Sequence, residues 1–89
     1  MRAIITVTGK DRPGIIAGVC VLLAESNINI LDISQTVMQD FFTMTMLVDL
    51  KDCEKAFSQV SDSLDEKGEE MNLVIRIQRE DIFDRMHKI

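Results

Sequence analysis

Ile28-Asn29-Ile30-Leu31-Asp32-Ile33-Ser34-Gln35-Thr36-Val37-Met38-Gln39-Asp40-Phe41-Phe42-Thr43-Met44-Thr45-Met46-Leu47-Val48-Asp49-Leu50 holds two alternating apolar and polar runs separated only by the polar pair Gln39-Asp40. Period two marks a half-buried strand. Two strands joined this closely form an antiparallel hairpin, because a parallel pair needs a long crossover. The apolar phase of the first run slips between Ile30 and Leu31, which predicts a bulge at that point.

Working outward toward the N-terminus, Ile4, Ile5, Thr6, Val7 and Thr8 are β-branched and predict a strand that Gly9 ends. Pro13 suits the first turn of a helix, where its missing N–H is not needed, with Asp11 or Arg12 in the capping region. Ile16, Val19, Cys20 and Leu23, widened by Ile15, Leu22 and Ala24, then recur at helical spacing to about Ser26. Gly18 within this helix points to close approach of a neighbouring backbone, and Asn27 breaks the helix. Toward the C-terminus, Asp52 is a candidate N-cap for a helix through Cys53, Phe57, Val60 and Leu64, with Gly68 as its C′ glycine. Leu73, Ile75 and Ile77 alternate as a last strand, and Ile82, Phe83, Met86 and Ile89 fall on one face of a short helix over about 79–88.

The order βαββαβ is the ferredoxin-like α+β sandwich: four antiparallel strands with two helices on one face, plus the short terminal helix, forming one domain over 1–89. Apolar residues such as Ile4, Leu47 and Val74 fall on the face without helices, so an exposed apolar patch and self-association are expected. A chain of this length buries only about 60–65% of its unfolded surface, which also favours association.

Net charge of −5, no Trp or Tyr and four Phe argue against nucleic-acid binding. No apolar run approaches the ~18 residues that span a bilayer, and Met1-Arg2-Ala3-Ile4 carries no signal-peptide pattern, so a cytoplasmic protein without membrane contact is expected. Cys20 and Cys53 lack partners at metal-ligand spacing and read as reduced, packed thiols; no metal or cofactor is expected. His87 reads as a helix-end residue, and the run Asp62, Asp65, Glu66, Lys67, Glu69 and Glu70 as the solvated side of the second helix.

The segment with chemical content is Thr8-Gly9-Lys10-Asp11-Arg12-Pro13-Gly14-Ile15-Ile16. A strand-to-helix turn with glycines at both ends directs backbone N–H groups and the positive end of a helix dipole outward, where a carboxylate fits. Asp11 is suited to an ammonium, and Asn29 offers donors and acceptors to a polar side chain. The plainer alternative is that Gly9 and Gly14 serve the turn, Asp11 caps the helix, and Asn27 and Asn29 end it.

Gly9-Lys10-Asp11-Arg12-Pro13-Gly14-Ile15-Ile16, followed by Asn27-Ile28-Asn29-Ile30, resembles the ACT-domain signature, and the layout agrees over nearly the whole chain. Ile30 through Phe42 is similar to free-standing bacterial and archaeal ACT proteins of the UPF0237 type, which resemble the ACT repeats of glycine-cleavage-repressor-like regulators. The resemblance implies a regulatory, non-catalytic module that binds a small amino acid between copies, with sheets or edge strands joined side by side. The ligand contacts carry over to Asp11 and Asn29, within a candidate set of Asp11, Arg12, Pro13, Gly14, Ile15, Asn27 and Asn29. It also implies a homodimer or higher oligomer that reaches a regulated protein by contact. Family members often carry an amide at the Asp11 position, and some a histidine near Gly9, so ligand specificity does not transfer. Two other readings are a ligand-free interaction module and, more remotely, an acylphosphatase-like enzyme using Arg12 and Asn29.

Overall fold

A computed structural model describes residues 1–82. Its elements are β1 (Arg2–Lys10), α1 (Ile15–Glu25), β2 (Asn29–Met38), β3 (Phe41–Asp49), α2 (Phe57–Met71) and β4 (Val74–Arg79). The strands form one antiparallel sheet in the order β2-β3-β1-β4, as the ferredoxin-like layout requires. The hairpin lies where the alternation places it, and the register slips between Ile30 and Asp32. Glu80 to Ile82 are helical, while the rest of the expected terminal helix lies outside the described residues.

Alternation builds the core. Ala3, Ile5 and Val7 of β1, and Phe42, Met44, Met46 and Val48 of β3, face the helices and are buried together with Val19 and Leu23 of α1 and Val60 and Leu64 of α2. Each large side chain removed from water contributes about 1.5–3 kcal/mol. The central strands β1 and β3 are thereby fixed in register, since a one-residue slip would turn every one of these side chains to solvent.

Both helix starts differ from the expectation. Pro13 lies in a turn ahead of α1 and not in its first turn, because Gly14 takes a left-handed conformation (φ 90°) as the N-cap. The buried stripe of α1 is Ile15, Val19 and Leu23, all within the expected set, with Ile16 exposed and Cys20 half-buried. Asp52 does not cap α2, whose N-cap is Ala56; the Gln59 side chain accepts the Ala56 N–H at 2.9 Å, which serves the helix start from the N3 side.

Both helices end in the same way. Asn27 (φ 57°) and Asn72 (φ 58°) occupy the left-handed position that stops a helix. After α1, Ile28 N–H returns to the Leu23 carbonyl at 3.0 Å and Asn27 N–H to Ala24 at 3.1 Å; after α2, Leu73 returns to Gly68 at 2.7 Å and Asn72 to Glu69 at 3.3 Å. These are paired Schellman motifs with buried apolar residues, Ile28 and Leu73, after the cap. Gly68 is therefore not the C′ glycine. It lies inside α2, where a Cβ would stand 2.7 Å from the Leu73 carbonyl oxygen. Gly18 also departs from expectation, since what its missing Cβ admits is the Met71 thioether and not backbone.

The face without helices is not the expected apolar patch. Ile4 and Leu47 are paired and half-buried, and the neighbouring rows Thr6–Thr45 and Thr8–Thr43 continue into Ser34 and Thr36 of β2. Hydroxyls separate the Ile4–Leu47 pair from exposed Val74, so the face reads as solvated. Exposed apolar surface is concentrated on β2 and the hairpin tip: Leu31, Ile33, Val37, Met38 and Phe41 are between 43% and 70% exposed, with Met38 and Phe41 paired on the helix-free face.

Candidate functional site

The β1–α1 turn runs from Lys10 to Gly14, and it is held from two sides. Asp11 donates its backbone N–H to the Asp40 carbonyl at 2.8 Å, which ties it to the tip of the β2–β3 hairpin. The next residue, Arg12, extends the other way and donates from Nη2 to the carbonyl of Met71, the last residue of α2. A cavity of about 300 Å³ lies beside the turn, lined by Lys10, Asp11, Arg12, Met71 and Asn72.

Gly14 supplies what no other residue gives readily. Its φ of 90° turns the chain into α1, and its carbonyl accepts the first intrahelical bond from Gly18 N–H at 2.9 Å. With no side chain on Gly14 and no acidic residue in the first turn, the leading N–H groups of α1 receive no carboxylate from their own helix. An N-terminus with orphan donors and a partial positive charge suits an anion. Beside it, the exposed Asp11 side chain supplies the opposite charge.

The other candidates divide by position. Pro13 is exposed in the turn, and Ile15 is a core side chain at 2% exposure, so only its backbone faces the helix start. Asn27 is the helix stop after α1, which accounts for its residue type. Asn29 opens β2 and is exposed, but it lies far from Asp11. It pairs with Asp49, which pairs with Arg2, whereas Asp11 follows Lys10 at the other end of β1. Eight residues of strand separate those ends, roughly 27 Å at 3.4 Å per residue. One chain therefore does not bring Asp11 and Asn29 together, nor the Arg12–Asn29 pair that acyl-phosphate hydrolysis would call on.

Among the described residues there is no grouping of His, Cys, Asp and Glu able to hold a metal ion, and no helix is long and apolar enough to cross a membrane. The Cys20 and Cys53 thiols are free and half-buried.

The family model for the ACT domain matches residues 2–78, which takes in the sheet, both helices and the turn. The chain belongs to the ACT-domain family. A UPF0237 protein of Listeria innocua is 54% identical over the full length of both chains. An ACT domain protein from Streptococcus pneumoniae superposes with a TM-score of 0.83 at 44% identity, covering 94% of each chain. A structure described as a glycine cleavage system transcriptional repressor matches with a TM-score of 0.73 at 26% identity, over 86% of this ACT chain and 44% of that one. The resemblance read from the Asp-Arg-Pro-Gly turn and the Asn-Ile-Asn-Ile segment is thus the family of the whole fold.

Arg12 is the residue whose role the sequence did not disclose. Its partner is 59 residues away and is a backbone carbonyl, which leaves no trace in side-chain pattern. The exposure of β2 was equally hidden, because its alternation is that of a half-buried strand.

Proposed function

We propose that this ACT chain, residues 1–89, is a non-catalytic regulatory module that binds a small amino acid between two copies of itself and passes the occupancy to a regulated protein by contact, in the cytoplasm. The observation that carries this reading is the separation of Asp11 from Asn29 by the length of the sheet, combined with a bare β2. Ile33 and Val37, on the helix side of β2, are 43% and 53% exposed, and β2 is an edge strand of the described sheet. Pairing two β2 strands antiparallel, in central register, closes both edges. It also sets Asn29 of one copy level with Met38 of the other, and so with the hairpin tip on which Asp11 rests. The amino acid's carboxylate then meets the α1 N-terminus, its ammonium meets Asp11, and Asn29 of the second copy closes the site.

Thermal unfolding against a panel of amino acids tests this directly. A ligand at 100 times its Kd stabilises by about 2.7 kcal/mol, a rise of roughly 10 °C or more for a domain of this size. Asp11→Ala and Asn29→Ala each abolish the shift. A mixture of the two variants restores part of it, because a mixed dimer contains one intact composite site. A site within one chain gives no such rescue. A panel that is flat at millimolar concentration rejects amino-acid sensing. The bare β2 strand then favours the second reading, a ligand-free interaction module.

A further inference from the structure

The turn that carries Asp11 is fastened by its neighbour. We propose that Arg12 is a positioning residue and not a ligand contact: its bond to the Met71 carbonyl pins the β1–α1 turn to the end of α2 and so aims Asp11 and the α1 N-terminus at the β2 edge. The proposal rests on the composite-site reading above and adds to it the route by which occupancy of the site reaches the α2–β4 junction.

Four observations support it. The Met71 carbonyl belongs to the last turn of α2, where carbonyls lack intrahelical partners and the dipole end is negative, so a guanidinium is a favourable partner. Met71 is itself seated by Gly18 of α1, whose missing Cβ would stand 2.8 Å from the Met71 Cε and 2.9 Å from its Sδ. Leu73, just beyond the helix stop at Asn72, is seated by Gly9 of β1, where a Cβ would stand 2.5 Å from the Leu73 Cδ2. On the other side, Asp11 N–H holds Asp40 at 2.8 Å. Consecutive residues of the turn are thus drawn to opposite anchors, one at the hairpin tip and one at the end of α2. A change in how Asp11 is held has a short mechanical path, through Arg12, to Met71 and the start of β4.

Two measurements on the full chain test the proposal. The first compares glycine with glycinamide, which lacks the carboxylate, by isothermal titration calorimetry. Arg12→Ala lowers glycine affinity about tenfold or more while leaving the glycine-to-glycinamide ratio within about twofold of the parent, and Arg12→Lys, which keeps one donor and the charge, recovers most of the loss. Collapse of that ratio in Arg12→Ala makes Arg12 a carboxylate contact and overturns the proposal, as does an affinity equal to the parent's. The second measurement needs no ligand. Gly18→Ala displaces the flexible end of Met71 and shifts the amide resonance of Asp11 in the parent chain, whereas in an Arg12→Ala background that shift falls to less than half. Equal shifts in both backgrounds overturn the coupling even where glycine binds. If no amino acid binds the parent chain, the composite site fails while the second measurement still decides the role of Arg12.

Discussion

The two halves of this ACT fold, β1-α1-β2 and β3-α2-β4, end their helices with the same device and then treat the following strand in opposite ways. Asn27 and Asn72 both take the left-handed position, and each is followed by a buried apolar residue. After α2 the helix settles on the strand it feeds, so closely that Gly68 meets the Leu73 carbonyl. After α1 the chain passes into β2, which is exposed along almost its whole length. Both β4 and β2 are sheet edges, but α2 covers one face of β4, whereas among the described residues β2 is exposed on both faces, with Leu31, Ile33, Val37 and Met38 outward, and that is where the proposed pairing with a second copy falls.

The largest effect on folding is expected where the second half is tightest. Gly68→Ala places a methyl group 2.7 Å from a backbone oxygen, so α2 must lift from β4. Overpacking at the upper end of its usual cost, about 3 kcal/mol, offset by the roughly 1 kcal/mol that Ala gains over Gly in a helix, leaves a net loss of about 2 kcal/mol. The melting temperature falls by about 8–16 °C in calorimetry. A loss below about 1 kcal/mol would mean that α2 is free to move over β4, and the contrast between the halves would weaken.

The corresponding change in the first half acts on assembly and not on the fold. Ile33→Asp with Val37→Lys puts charges on the uncovered helix side of β2, where the parent side chains are already about half exposed. Unfolding of the isolated chain at low concentration stays within about 0.5 kcal/mol of the parent. Sedimentation equilibrium shows dimer association weakened at least 100-fold, about 2.7 kcal/mol. An unchanged oligomeric state removes β2 as the interface, and with it the composite site.

What the sequence disclosed follows the same division. The hairpin was legible because Phe42, Met44, Met46 and Val48 alternate and only one phase buries them, and the bulge because the apolar phase of β2 slips between Ile30 and Leu31. The family was legible from a turn whose Gly14 answers a backbone need. Gly68 and Gly18 were visible as glycines but not in their roles, because which neighbour occupies the space of a missing Cβ is decided by packing from elsewhere in the chain. Arg12 and the exposure of β2 share that cause: a bond to a distant carbonyl, and the absence of a covering helix among the described residues, leave no local pattern. Asp11 and Asn29 stood out as residues, yet their separation emerged only from register, through Asp49 and Arg2.

The helix stops sharpen the comparison from the opposite direction, because here the halves should agree. Asn27→Ala and Asn72→Ala each force a residue with a larger left-handed penalty into φ near 57–58°. Each costs about 1 kcal/mol by urea denaturation. Equal losses show that the caps are equivalent and that the halves diverge only after them. A markedly larger loss at Asn72 would show that its cap also bears the contact between Gly68 and Leu73.

The smallest effect is expected at the hairpin tip, which joins the halves. Gln39 has φ 55°, a conformation that costs an L-residue roughly 1 kcal/mol and glycine almost nothing. Glycine also loses more backbone freedom on folding, so Gln39→Gly stabilises by only about 0.5 kcal/mol net. The neighbouring Asp40 carbonyl receives the Asp11 N–H, and that bond depends on the path of the turn and not on the Gln39 side chain. Stability measured by urea denaturation therefore rises slightly, while protection of the Asp11 amide from hydrogen exchange rises with it and never falls. Loss of that protection would show that the Gln39 side chain, and not the backbone of the tip, steadies the turn on which Asp11 is held.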